Sequence, residues 1–267
     1  MDQLLIRGGR RIEGSVQVRG AKNAALPQIA AALLTSDRLE LGNVPEVSDV
    51  DTMLGMMAEF GVVATRGPGR MLALDASKAR NAQAPYDLVR RMRASILVLA
   101  PLLARFGSAR VSMPGGCAIG ARPIDLHLKA LEALGADVDI EAGYIHARTK
   151  SDGLRGGPIV LASPSVGATE TALMAASLAR GESEILNASR DPEVCDLALC
   201  LAAMGARIEG AGTHRILVQG VDALHNARHE LITDRTDRPK VLKMGTLGRS
   251  VRCWKVPEPR SGRPIAG

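Results

Sequence analysis

GATETALMAASLA, at residues 167–179, is apolar on nearly every face that a helix would present, and it decides the fold. Two earlier stretches share this character, AALPQIAAALL at 24–34 and RASILVLAPLLA at 93–104. A helix without a polar face is buried on most sides. The sequence therefore predicts three internal helices, with the strands around them on the outside.

A repeat of about 70 residues organises the first 220 positions. Each copy continues from its apolar helix into a short strand and a second, more amphipathic helix, which ends at Gly61, Gly135 or Gly205. Glycine adopts the left-handed conformation that ends a helix at little cost. A two-stranded hairpin with a glycine-containing turn follows each of these glycines. An opening strand, clearest at 15–19 and 158–161, completes a β-α-β-α-β-β unit.

Composition and charge exclude several classes of protein. Of 267 residues 46% are hydrophobic and 23% charged, so the chain is globular, and its five aromatic residues offer no base-stacking surface. The net charge of +6 comes from residues 235–267, which carry nine Lys/Arg and two Asp/Glu, while residues 1–234 carry 25 and 26. We therefore expect no nucleic-acid partner for the folded part, although the basic end keeps DNA binding open as an alternative.

The chain shows no targeting, membrane or metal signal. It starts without a basic segment ahead of a long apolar run, and the longest apolar run, residues 94–104, is too short to span a bilayer. The four cysteines, at 117, 195, 200 and 253, lack metal-site or disulfide spacing, and the five histidines form no metal motif. These features favour a cytoplasmic protein with no metal, no cofactor and no membrane insertion.

The most informative loop is PGGCAIGARPIDLH at 114–127, between a predicted strand and a predicted helix. Its glycines and prolines surround one thiol, Cys117, and the guanidinium of Arg122 can lower the pKa of that thiol or hold an anion. The alternative is a tight structural loop with an incidental cysteine. His127 lies beside this loop and could contact a ligand.

Two further strand-to-helix turns suit an anionic ligand. Lys22 and Asn23 precede the first buried helix, where a cation and the free N–H groups of a helix start act together. Ser165 and Gly167 belong to SPSVGAT at 163–169, which could bind a diphosphate through hydroxyls and backbone amides. Ordinary helix capping is the alternative at both turns. With Arg93, these residues mark equivalent helix starts, so we expect them to converge on one phosphorylated ligand.

These motifs, in this order, resemble the enolpyruvyl transferase family, and within it the branch that acts on UDP-N-acetylglucosamine. The resemblance rests on GAKNAALP at 20–27, RAS at 93–95, the cysteine loop and SVGAT at 165–169. It covers residues 1 to about 235, slightly more than half of a usual family member. It implies an inside-out α/β barrel of three β-α-β-α-β-β units at 22–232, with 1–21 as a strand segment of an incomplete second domain.

The resemblance also implies a reaction, the transfer of enolpyruvate from phosphoenolpyruvate to the 3-hydroxyl of UDP-N-acetylglucosamine. Cys117 would be the general acid and the residue that fosfomycin alkylates, while Lys22, Asn23 and Arg122 would hold phosphoenolpyruvate. The nucleotide sugar would be held by Arg93, Arg122, Pro123, Ile124, Asp125, Leu126, His127, Ser163, Pro164, Ser165, Val166 and Gly167.

The last 33 residues depart from the family pattern. The family draws its general base and a further phosphoenolpyruvate arginine from the second domain, beyond residue 235. Residues 233–267 instead contain four prolines and scattered basic residues, a composition that predicts disorder. Our hypothesis at this stage is a frameshift or truncation, which would leave this chain alone with negligible turnover. A non-catalytic nucleotide-sugar-binding protein is the alternative function.

Overall fold

The computed structural model describes residues 18–80, 93–113, 124–150 and 152–235, and Arg19–Thr233 forms one compact unit. Within these ranges the α-helices are α1 (Lys22–Ala31), α2 (Ser48–Glu59), α3 (Leu99–Phe106), α4 (Asp125–Ala133), α5 (Val166–Ala176) and α6 (Pro192–Ala203). The strands are β1 (Arg38–Gly42), β2 (Val63–Gly67), β3 (Met71–Asp75), β4 (Ser108–Ser112), β5 (Asp137–Glu141), β6 (Tyr144–Arg148), β7 (Pro158–Val160), β8 (Glu182–Leu186), β9 (Arg207–Glu209), β10 (Arg215–Gln219) and β11 (Ala227–Glu230). Residues 1–17 and the predicted disordered tail from 236 onward lie outside the described ranges.

One glycine ends the second helix of each of the three repeats, as the sequence predicts. The φ angles of Gly61, Gly135 and Gly205 are 84°, 85° and 109°, a region that residues with a Cβ rarely adopt. Each glycine is followed by a hairpin, β2–β3, β5–β6 or β9–β10. The three hairpins occupy the positions that the sequence repeat predicts.

The sheets repeat one topology. The first sheet has the order β11-β1-β3-β2, and the third has β7-β8-β10-β9; in each the first pair is parallel and the others antiparallel. The described part of the second sheet is the antiparallel trio β4-β6-β5. The central strands bury alternate residues, which gives each sheet one face toward the core.

The first sheet differs from the sequence prediction in its opening strand. Of the strand predicted at 15–19, residues 15–17 lie outside the described residues, and Val18 and Arg19 are not in a strand. Strand β11 takes this place and pairs parallel with β1, Leu39 opposite Ala227 and Gly42 opposite Glu230. The last described strand of the chain therefore completes the first unit. This pairing joins residues almost 190 positions apart and closes the unit into a ring.

Apolar helices form the centre of the unit. Every residue of α1 from Ala24 to Ala31 is buried, as is every residue of α5 from Ala168 to Ala176. Helix α3 packs against α5 and against the 3₁₀ turn Ala32–Leu34 that follows α1. Helices inside and sheets outside are the inside-out α/β arrangement that the sequence predicts.

The second apolar stretch is not a continuous α-helix. Residues Arg93–Val98 form a 3₁₀ helix, and α3 begins only at Leu99. Pro101 has no amide N–H with which to bond the carbonyl of Leu97, so one α-helical hydrogen bond across this junction cannot form. The 3₁₀ segment contacts α1 while α3 contacts the turn after α1, so these two helical stretches run in the same direction.

A buried carboxylate fastens the ring where it closes. Asp196 of α6 is 1% exposed, and its Oδ2 accepts hydrogen bonds from Gln28 Nε2 at 2.6 Å and from the Ile232 amide at 3.2 Å. Its Oδ1 lies 2.9 Å from Nε2 of His229 on β11. One side chain thus joins α6, α1 and the last strand.

The described ranges contain neither a membrane-spanning helix nor a metal-binding cluster. Across them, every helix is too short or too polar to cross a membrane. In the same part of the chain, no three His, Cys, Asp or Glu residues are grouped so that they could hold a metal ion.

Candidate functional site

The starts of α4 and α5 meet at His127. The Nδ1 atom of His127, on the first turn of α4, lies 2.8 Å from the Thr171 hydroxyl on α5. The ring also lies against Gly167, where a Cβ would come within 2.9 Å of His127 Cε1 and 3.1 Å of Nε2. Gly167 is therefore required for this contact, because any side chain there would occupy the space of the imidazole.

The start of α5 is capped and tied to a neighbouring loop. Ser165 is the N-cap, and its Oγ accepts a hydrogen bond from the Ala168 amide at 3.4 Å. The Thr169 hydroxyl donates to the Ser165 carbonyl at 2.7 Å and accepts from the Ser189 amide at 3.0 Å. The backbone at the predicted diphosphate-binding turn is thus held by hydrogen bonds from within the unit.

Buried acids lie beneath this turn. Glu170 of α5 is 3% exposed, and burial, with the charges of Glu193 and Asp191, raises its pKa well above the usual range. Its Oε1 is buried with no hydrogen-bond partner among the described residues. The shift favours the protonated form of Glu170, since an unpaired buried carboxylate is strongly disfavoured.

Lys22 and Asn23 occupy the first turn of α1, as predicted. Asn23 is exposed, and Nζ of Lys22 lies 2.7 Å from Oδ2 of Asp49, on the first turn of α2. The side chain of Lys22 is 45% exposed, so the ammonium is accessible to a solute. Ala21 at the N-cap has no side chain that could cap this helix start.

The remaining predicted residues divide into two groups. Ile124 accepts the His127 amide at 2.9 Å through its carbonyl and so begins α4, where Asp125 is exposed and Leu126 partly buried. Ser163 and Pro164 are exposed, and Val166 is partly buried. Cys117, Arg122 and Pro123 lie outside the described residues, as does the side chain of Arg93, whose backbone begins the 3₁₀ helix.

The structure brings together one half of the predicted site. Residues 124–127 and 163–167 meet through the contact of His127 with Gly167. The two helical stretches run parallel, so the start of α1, with Lys22, and the start of the 3₁₀ segment, at Arg93, lie at the same end of this helix pair. Convergence of all the cations on one ligand remains a prediction.

The sequence analysis missed several residues around these turns. Asp49, Thr171 and Ser189 were not predicted because each makes its contact with a separate element. Glu170 was not predicted because it lies within an otherwise apolar helix. A local signal existed only for Asp191, which precedes Pro192 at the first position of α6. An acidic N-cap followed by proline is a common start of a helix.

Comparison with known proteins decides the family. Residues 6–246 match the family model described as EPSP synthase (3-phosphoshikimate 1-carboxyvinyltransferase). The chain belongs to this enolpyruvyl transferase family. The match runs past residue 235, where the sequence motifs had ended the resemblance. Membership in this family of transferases, predicted from the four motifs, is confirmed.

Two curated relatives are "UDP-N-acetylglucosamine 1-carboxyvinyltransferase 2" of Mesorhizobium japonicum and UDP-N-acetylglucosamine 1-carboxyvinyltransferase of Rhodospirillum centenum. The first is 62% identical over 237 residues, covering 89% of this chain and 56% of the relative. The second is 53% identical over 246 residues, covering 89% of this chain and 57% of the relative. The chain thus spans little more than half the length of these relatives.

Solved structures support the fold. The enolpyruvyl transferase NikO from Streptomyces tendae superposes with a TM-score of 0.77 at 26% identity, over 89% of this chain and 56% of that one. EPSP synthase from Acinetobacter baumannii gives 0.67 at 18% identity, over 86% and 52%, a likeness of fold alone. The predicted enolpyruvyl transferase-like α/β fold is confirmed.

Proposed function

We propose that this enolpyruvyl transferase acts on UDP-N-acetylglucosamine, moving enolpyruvate from phosphoenolpyruvate to the sugar 3-hydroxyl with release of phosphate. The names of the 62% and 53% identical relatives support this substrate over shikimate 3-phosphate. The cysteine loop at 114–127 also supports it, since the shikimate branch lacks that motif. The reaction would be the committed step of peptidoglycan synthesis, in the cytoplasm.

The observation that carries the proposal is the position of the His127 ring, which contacts both Gly167 and the Thr171 hydroxyl. It joins the two segments that we assign to the nucleotide sugar, 124–127 and 163–167. Both segments are helix starts, and backbone N–H groups there favour the negative charge of a diphosphate. Ser165 already caps α5, so a diphosphate would meet a turn whose backbone is fixed before binding.

We assign the chemistry to a cationic group and one acid. Lys22, with Asn23, and Arg122 would hold the phosphate and carboxylate of phosphoenolpyruvate, and Arg93 would contact the nucleotide sugar. Cys117 would protonate the methylene carbon, leaving a cationic centre at C2 that the sugar hydroxyl attacks. The hydroxyl loses its proton to a base as the C–O bond forms. Loss of a proton from the methyl carbon, together with departure of phosphate, then re-forms the C=C bond and gives the enol ether. The cations lower the barrier by stabilising the phosphate charge as it leaves.

Calorimetric titration of the full chain with UDP-N-acetylglucosamine tests the nucleotide-sugar assignment. We expect His127→Ala to weaken binding at least about fivefold, the size expected for one lost buried polar contact. His214→Ala changes an exposed histidine on the β9–β10 turn and should bind as the native chain does. Equal weakening in both variants, or no effect in either, would contradict the assignment.

Phosphate release with both substrates, measured in parallel, separates transfer from binding alone. Release that depends on UDP-N-acetylglucosamine and is lost in Cys117→Ala supports the transferase. Because negligible turnover is expected of this chain alone, the readout is slow release above the Cys117→Ala background. Tight nucleotide-sugar binding with no release above that background supports the non-catalytic alternative.

A further inference from the structure

We propose that Asp49 gates Lys22, so that an anion gains this lysine only by displacing a carboxylate. The inference deepens the proposed function and rests on it, because it concerns the lysine assigned to phosphoenolpyruvate. It makes Asp49 a residue that sets the affinity of Lys22 for anions.

The contact itself is short and accessible. Lys22 Nζ and Asp49 Oδ2 are 2.7 Å apart, and the two side chains are 45% and 40% exposed. An ion pair with this exposure is weak, since water and salt screen it. A ligand can therefore reach the ammonium and replace the carboxylate without a large cost.

The loop that presents Asp49 is fixed at its other end. The Gly42 carbonyl accepts the Leu231 amide at 3.1 Å, and Asn43 Nδ2 donates to the Leu231 carbonyl at 3.2 Å. Gly20 lies so close to Asn43 that a Cβ would be 2.0 Å from its carbonyl oxygen. These backbone contacts therefore fix the position of Asp49 independently of its ion pair with Lys22. Asp49 does not move freely with the lysine side chain.

Asp49 has a second source of stabilisation. It lies in the first turn of α2, where the partial positive charge of the helix start favours a carboxylate. When Lys22 turns to a ligand, Asp49 remains in a favourable field. Lys22 gains a partner at an uncapped helix start, because Ala21 precedes it. Exchange of partners is therefore possible in both directions.

The charge of Asp49 lowers the affinity of Lys22 for anions. An incoming anion competes with this carboxylate for the ammonium and is repelled by it. Both the attraction to Lys22 and the repulsion by Asp49 scale with the charge of the ligand. Removing the Asp49 charge should therefore strengthen binding of every anion, and of a phosphate dianion more than of chloride.

The test measures the reactivity of Lys22 in the full chain. A water-soluble succinimidyl ester labels free amines, and peptide mass spectrometry reports the labelled fraction of Lys22 as inorganic phosphate is added at constant ionic strength. The variants are Asp49→Asn and Asp51→Asn. Asp51 is the matched control, a first-turn carboxylate of the same helix whose partner is Arg66 at 2.6 Å.

We expect Asp49→Asn to raise the labelled fraction of Lys22 in the absence of phosphate. It should also lower the phosphate concentration that gives half-maximal protection of Lys22 by about two- to fivefold, which corresponds to the energy of an exposed ion pair. Asp51→Asn should match the native chain. Equal phosphate midpoints in native and Asp49→Asn chains would overturn the gate alone. Failure of phosphate to protect Lys22 in any variant would overturn the phosphoenolpyruvate role of Lys22, and the gate with it.

Discussion

Removing the Asp196 carboxylate should cost more stability than any other single truncation of a polar side chain near the ring closure. Asp196→Ala removes the acceptor of Gln28, His229 and the Ile232 amide. Each lost bond to a buried carboxylate is worth about 1–1.5 kcal/mol, which gives about 3–5 kcal/mol in total. The donors of Gln28 and Ile232 also lose their partner in a place that water reaches poorly.

Urea unfolding followed by far-ultraviolet circular dichroism measures this loss. With a slope of about 1–3 kcal/mol per molar urea, the midpoint should fall by more than about 1 M. Asp196→Asn keeps the side-chain volume and one acceptor oxygen, so it should lose roughly half as much. Asp51→Ala removes an exposed ion-pair partner and should change the free energy of unfolding by less than about 1 kcal/mol.

The location of the loss provides a second readout. Hydrogen exchange should quicken first in β11, because His229 is the only described residue of that strand bonded to Asp196. The reasoning would be refuted if Asp196→Ala and Asp51→Ala had the same midpoint, or if exchange quickened uniformly over the unit.

Three further changes test the site. Because the pKa of Glu170 is raised above its unfolded value of about 4.5, the native chain is most stable below that pH and loses stability as the pH rises above it. Glu170→Gln cannot ionise, so its urea midpoint should rise relative to that of the native chain with increasing pH. A difference between the two midpoints that stays constant with pH would contradict this. Gly167→Ala should lower the free energy of unfolding by about 1–3 kcal/mol because its Cβ displaces His127. Calorimetry should show weaker nucleotide-sugar binding in the same variant. Unchanged affinity would refute the assigned role of the His127–Gly167 contact. Burial raises the pKa of Cys200 to about 12, so iodoacetamide at pH 8 should label it only after unfolding, whereas native labelling would place it at the surface.

Local pattern was sufficient to predict most of the architecture. Gly61, Gly135 and Gly205 end their helices because the left-handed conformation is a property of a single residue. The hairpins follow because alternation and turn glycines act over a few positions. The inside position of α1 and α5 follows from their apolar composition alone.

Long-range pairing could not be predicted in this way. Strand β11 lies far along the chain from the first repeat, and only its pairing with β1 shows that it belongs to the first sheet. Gln28 and Asp196 are 168 positions apart, so no periodicity relates them. The same limit hid the contact of Asp49 with Lys22, since an exposed acid at a helix start is ordinary in sequence.

The candidate site was predicted in part for the same reason. The contact of His127 with Gly167 joins two motifs that the sequence had singled out separately, yet their adjacency depends on packing between α4 and α5. Thr171 was overlooked because it lies within an apolar helix, where a hydroxyl is usually a satisfied core group.

The central claim is that Cys117 is the reactive acid of an enolpyruvyl transferase. The most direct measurement is mass spectrometry of the full chain after incubation with fosfomycin and UDP-N-acetylglucosamine. We predict one adduct, on Cys117, that forms faster with the nucleotide sugar than without it and is absent from Cys117→Ala. An adduct on Cys195 or Cys200 instead, or labelling that persists in Cys117→Ala, would contradict the account.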